Sequence, residues 1–118
     1  MGDETPVLVV ISEDPHASHR ANEAMRIALG VVAGENQVTI VLAGGGVHLL
    51  DGDTDDLVDG DDIAKFRASL KRLGIAFHVL ESDRPEDPDW NPEDHAVVPV
   101  TTADVAALAA RANRFIVF

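Results

Sequence analysis

Residues Val7 to Ile11 (VLVVI) form an unbroken apolar run, and no other stretch limits the possible folds of this chain so severely. A strand with one face in water alternates apolar and polar side chains. A strand without that alternation is covered on both faces, the usual condition in parallel sheets flanked by helices. The polar residues Ser12 to His19 come next, and then Ala21, Ala24, Met25, Ala28, Leu29 and Val32 recur at the spacing of one helix face. Strand, loop and helix predict the first half of a βαβ unit. Asp14 or Ser18 is the expected N-cap of the helix, and Gly34 its left-handed stop.

The remaining residues read as further turns of the same winding. Val38 to Ala43 is a second buried strand, followed by Gly44-Gly45-Gly46 and Val47 to Leu50. Ile63, Phe66, Leu70 and Leu73 share one face of a second helix, which Gly74 ends. Ile75 to Leu80 is a third strand. The segment Glu81 to His95 carries Pro85, Pro88 and Pro92, too many for a helix of any length. Ala96 to Val100 is a short fourth strand with Pro99 near its end. Thr101 and Asp104 have the spacing of a capping box ahead of a third helix bearing Val105, Leu108, Ala109 and Ala112, and Phe115 to Phe118 is a fifth strand. The prediction is a single domain over residues 1–118: an α/β protein, a three-layer α/β/α sandwich around a mostly parallel five-stranded sheet with flavodoxin-like winding. Such sheets bind ligands outside the carboxyl ends of their strands. That rule gathers Ser12 to His19, Gly44 to His48, Glu81 to Asp83 and Thr101 to Thr102 on one edge.

Composition removes several function classes. With 118 residues the chain has enough apolar surface for one core without staples. It contains no cysteine, so disulfides, thiolate nucleophiles, persulfides and cysteine-ligated metals are excluded. The net charge is −12, which repels phosphate backbones and anionic lipid and argues against nucleic acid and membrane as partners. No run reaches the ~20 apolar residues of a membrane span. The opening Met1 to Pro6 is acidic and has no basic-then-apolar export pattern. The expected location is the cytoplasm.

A nucleotide site is not expected, because the loop after the first strand has no glycine and carries Glu13 and Asp14. Gly44 to Gly46 instead suits a turn or a close backbone approach. Asp51, Asp53, Asp55, Asp59 and Asp62 occupy positions 1, 3, 5, 9 and 12 of a calcium-loop template. Against calcium, Asp56 stands where glycine should turn the chain and Asp62 replaces the bidentate glutamate, so the alternative is a solvated loop whose last acids favour a helix N-terminus. His16, His19 and His48 can converge on the ligand edge, although no zinc signature links them. His78 reads as a satisfied packing residue in the third strand. No nucleophile elbow surrounds any serine, and nothing in the spacing demands His/Asp acid–base chemistry. Trp90 either covers an edge of the core or anchors a partner. The functional surface expected from these residues is Asp14, Pro15, His16, His48, Ser82 and Trp90. The sequence calls for no cofactor.

The stretches VLVVISEDPHASHRANEAMRIAL, VTIVLAGGGVHLL, AKFRASLKRLGIAFHVL and ALAARANRFIVF resemble the DsrE/DsrF-like family of small sulfur-relay proteins. The resemblance covers most of the chain. It implies the layered fold and cytoplasmic homo- or hetero-oligomers that pass sulfur as a cysteine persulfide, with the cysteine just after the third strand at the start of a helix. Here that place reads Glu81-Ser82-Asp83-Arg84-Pro85, and Ser82, the nearest counterpart, cannot hold a persulfide. The family also contains cysteine-less subunits that support active partners. The reading is therefore a non-catalytic, structural or regulatory member that assembles with itself or with a cysteine-bearing paralogue. The alternative is a small-molecule or cation (Ca²⁺) binding module using the acidic loops of the same edge.

Overall fold

The computed structural model describes residues 6–34 and 37–118. The acidic stretch 1–5, which reads as lacking an export pattern, lies outside the described residues. In order the chain forms β1 (Val7–Ile11), α1 (Arg20–Ala33), β2 (Val38–Leu42), a 3-10 segment (Gly44–Leu50) and a short 3-10 turn (Thr54–Asp56). Then come α2 (Gly60–Arg72), β3 (Phe77–Leu80), a second such turn (Glu81–Asp83), β4 (Val97–Val100), α3 (Thr102–Arg111) and β5 (Arg114–Val117). The five strands make one sheet in the order β4-β3-β2-β1-β5, and every neighbouring pair is parallel. From β1 to β4 the chain winds in one direction; α3 then carries it back so that β5 lies on the free side of β1. As in the flavodoxin-type winding, the reversal falls beside an interior β1, though here β5 sits across it. No helix among the described residues is long and apolar enough to cross a membrane.

Local chemistry explains the helix ends, with two departures from expectation. Asp14 does not cap α1; its carboxylate accepts from the His16 backbone N–H at 2.9 Å, while Ser18 Oγ accepts from the Arg20 N–H at 3.1 Å. Gly34 ends α1 with φ −81, not left-handed, whereas Gly74 after α2 has φ +74 and does use the freedom that only glycine has there. The capping box of α3 forms as its spacing predicts: Asp104 N–H donates to Thr101 Oγ1 at 3.1 Å and Thr101 N–H to Asp104 Oδ2 at 2.9 Å.

The two faces of the sheet are covered very unequally. On one, Val7, Val9, Ile11, Ile40, Leu42, Phe77 and Val79 pack in the main core against Ala21, Ala24, Met25 and Ala28 of α1 and Ile63 and Leu70 of α2. The small residues of α1 let that helix lie close to the strands. On the other face Leu8, Val41 and Val100 make a minor cluster with Val105, Leu108 and Ala109. The single ten-residue helix α3 has no buried residue of its own. Register places Val10, Val41, His78 and Val98 in one row, with Phe115 beside Leu8 and Val117 beside Val10. Since paired residues of parallel strands point the same way, Val98, Phe115 and Val117 all belong to this second face, where they are 40%, 53% and 56% exposed.

His78 sits in that apolar row, and its Nδ1 is buried without a hydrogen-bond partner, so it is a packing residue but not a satisfied one. Burial pushes its pKa down, against an opposing contact with the Ile40 backbone. The unfolded chain then binds a proton that the folded one resists, so the stability attached to His78 is whole above its ordinary value of about 6.5 and is lost as pH falls through it. Urea midpoints between pH 5 and 8 should show His78→Leu gaining on the native protein as the solution is acidified. A pH-independent difference between the two would contradict this placement.

Candidate functional site

The loops that leave β1, β2 and β3 meet at the carboxyl edge, next to the winding reversal. Backbone contacts lock them to the sheet. Ser12 N–H and Oγ donate to the Phe118 carbonyl at 2.6 and 2.9 Å, and Ala43 N–H donates to Ile11 O at 3.0 Å. Gly45 and Gly46 allow the closest approach. A Cβ on Gly45 would stand 2.7 Å from Asp14 Cβ, and one on Gly46 would stand 2.0 Å from Ile11 O, so a side chain at either would drive the two loops apart. Gly44 N–H donates to Asp83 Oδ2 at 2.7 Å, which ties in the loop after β3.

From beneath, the 3-10 segment rests on two side chains distant in sequence. Arg67 of α2 is 1% exposed, and its Nη1 donates to the carbonyls of Leu49 at 2.9 Å and Asp51 at 2.7 Å. Its Nη2 lies 3.3 Å from Glu93 Oε2. Trp90 is buried, its indole N–H donating to Val47 O at 2.8 Å, with the Arg84 guanidinium 5.2 Å from the ring centre. Of its two readings Trp90 takes the first: it covers the core edge and is not displayed. The last carbonyls of a short helix need donors, and Arg67 supplies them at Leu49 and Asp51 while Trp90 serves Val47 within the segment.

Above this support, four titratable groups converge. His16 Nδ1 is 2.7 Å from Asp14 Oδ1. His48 Nδ1 is 3.1 Å from both oxygens of Asp51, and His16 Nε2 is 3.5 Å from Asp51 Oδ2. The two rings meet edge to face at 4.9 Å between centroids. Burial would raise the pKa of Asp14, but the His16 N–H, the His16 ring and the charges of His16 and His48 together hold it below the usual carboxylate value. Two imidazoles between two carboxylates can exchange protons, accept a hydrogen-bonding ligand or hold a cation.

Other predicted residues fall elsewhere. His19 is exposed at the N-cap of α1. Ser82 is exposed in the turn Glu81–Asp83, and Pro15 is buried, its carbonyl accepting from Val58 N–H at 2.7 Å. The calcium template is not realised as a cage. Asp51 is engaged by the imidazoles, and Asp53 accepts from Asp55 N–H at 3.1 Å. Asp59 is the N-cap of α2 with φ 58, and Asp62 lies in that helix's first turn, where its charge is favourable. Among the described residues, the group that brings three metal-capable side chains together is Asp14, His16 and His48.

Arg67 and the ring-bridging role of Asp51 escaped the sequence reading. The available signal was positional: Arg67 stands on the apolar stripe, four residues after Ile63 and three before Leu70. Its arm toward Glu93 is a minor one, since that carboxylate is 55% exposed and solvent screens it. The charge-assisted bonds to two carbonyls are worth more. Arg67→Ala should therefore cost about 3 kcal/mol in urea unfolding, and Glu93→Gln less than about 1 kcal/mol. Equal costs would contradict this division.

The model of the DsrE/DsrF-like family matches residues 6–118. No curated protein sequence matches the chain. Among solved structures, the crystal structure of the ychN protein from E. coli aligns with a TM-score of 0.75 at 15% identity, covering 98% of this chain and 99% of that one. At that identity the likeness speaks for the fold, and it agrees with the all-parallel sheet described above. The family match over nearly the whole chain is the stronger finding: this protein belongs to the DsrE/DsrF-like family.

Proposed function

We propose that this chain is a non-catalytic member of its family, a structural or regulatory subunit that works in intracellular sulfur relay by assembling with copies of itself or with a cysteine-bearing paralogue. The observation that carries the reading is the half-covered second face of the sheet. Parallel sheets are normally buried on both sides, yet here α3 alone covers one of them. Beside α3 a groove of about 300 Å³ is lined by Val10, Val41, Leu80, Val105, Ala109 and Phe115. The same face exposes Val98 on edge strand β4 and Phe115 and Val117 on edge strand β5, apolar surface of the kind that marks an association site. Closing it against a second protomer would complete the third layer.

The chemistry of the chain supports the non-catalytic half of the reading. Relay of sulfur as a persulfide needs a thiolate, and this chain has no cysteine. Ser82, after β3, offers only a hydroxyl. In this reading the carboxyl edge, with Asp14, His16 and His48 clustered and Ser82 nearby in sequence to Asp83, is the surface offered to a ligand or partner, and the protein resides in the cytoplasm.

Light scattering on a sizing column tests assembly. The native protein at micromolar concentration should run at an integer multiple of 12.6 kDa, and the pair Phe115→Asp with Val117→Asp should return it to the protomer mass. A native protein that stays at the protomer mass at every concentration would overturn self-assembly.

A further inference from the structure

We propose that Asp14, His16 and His48 form a binding site for a divalent transition-metal ion of the zinc type, with Asp51 orienting both imidazoles from outside. One ligand atom from each of the three residues lies within 4.8 Å of the others. Around a tetrahedral ion with bonds of about 2.0–2.2 Å, donors stand roughly 3.3 Å apart. The side chains of His16 and Asp14 are 39% and 44% exposed and that of His48 35%, so rotation about their own side-chain bonds can close the difference.

The contacts sort the nitrogens of His48: Nδ1 faces Asp51 at 3.1 Å, and with its proton there Nε2 keeps a lone pair. His16 Nδ1 contacts Asp14 Oδ1 at 2.7 Å, and an ion replaces that contact; Nε2, 3.5 Å from Asp51, can then carry the ring's proton. Asp14 Oδ1 takes the His16 backbone N–H, and Oδ2 stays open. A metal-binding histidine ordinarily gives its second nitrogen to a carboxylate, which fixes ring and tautomer. Here one carboxylate lies beside both rings, 3.1 Å from His48 Nδ1 and 3.5 Å from His16 Nε2.

Two further features favour a cation at this place. Gly45 and Gly46 hold the β1 and β2 loops at contact distance, and Arg67 pins the carbonyl of Asp51, so the backbone that carries these side chains is in place before an ion arrives. The net charge of −12 enriches cations at the surface. Two imidazoles and one carboxylate suit zinc, nickel and copper, not calcium or magnesium, which take oxygen donors. Three protein ligands leave a fourth position open to solvent. The site shares no residue with the apolar patch on the second face, so it stands or falls independently of assembly.

Calorimetric titration of Zn²⁺ into untagged, chelator-stripped native protein tests the site. One ion per chain should bind. His16→Ala and His48→Ala should each weaken binding at least tenfold, Asp51→Asn should weaken it about tenfold, and His19→Ala should leave it unchanged. These rings are partly exposed, and circular dichroism will show each variant folded. Millimolar Ca²⁺ should fail to displace the ion. Absence of binding, equal affinity in the His16→Ala/His48→Ala double variant, or displacement by Ca²⁺ would each overturn the proposal.

Discussion

A buried guanidinium fixes the carboxyl edge of this protein. The Gly44–Leu50 segment leaves β2 with three glycines and no strong helix formers before Leu49, so it has little tendency to hold a helical path unaided. Arg67 donates to the carbonyls of Leu49 and Asp51 at its end and Trp90 to that of Val47 in its middle, while Gly44 N–H donates to Asp83. Burying a charge is costly unless its donors are used. Here Nη1 and Nη2 find oxygen partners and offset part of that cost, while Nε is buried without one; the same contacts position Asp51, which faces the imidazoles of His48 and His16. Stability and site geometry are thus two consequences of one interaction.

The opposite problem governs the second face. On the first, α1 and α2 bury Val7, Val9, Ile11, Ile40, Leu42, Phe77 and Val79. On the second, an alanine-rich helix of ten residues is too short and its side chains too small to shield the outer strands β4 and β5. Its capping box contributes about 1 kcal/mol, enough to start the helix but not to close the layer. A protein of this design leaves apolar surface in water unless another surface meets it, and that is why association is central to the function proposed above.

Much of the fold was legible because double-sided burial writes itself into composition: Val7 to Ile11 and Val38 to Leu42 needed no context to be read as covered parallel strands. The convergence of His16 with His48 followed from the rule that ligand residues gather beyond strand carboxyl ends. What remained illegible depended on contacts between distant positions. Three glycines read as a turn or a close backbone approach, and Gly45 and Gly46 do make that approach; the 3-10 path of the stretch depends on Arg67 and Trp90, far along the chain. Arg67 itself reads as solvent-facing because arginine usually is. The aspartates at calcium-loop spacing show the converse: the spacing matches the template, while the backbone sends Asp51 toward imidazoles and Asp62 into a helix. His19 shows the limit of proximity in sequence, since it lies three residues from His16 and ends at the N-cap of α1, apart from the cluster.

Hydrogen exchange followed as a function of protein concentration tests the central claim, that the thinly covered face is completed by another protomer. The account predicts that amides of α3 and β5 become more protected as concentration rises through the micromolar range, while those of α1 and α2 hold constant. Protection in Thr102–Arg111 and Arg114–Val117 that is the same at every concentration, in a protein of protomer mass, would contradict it.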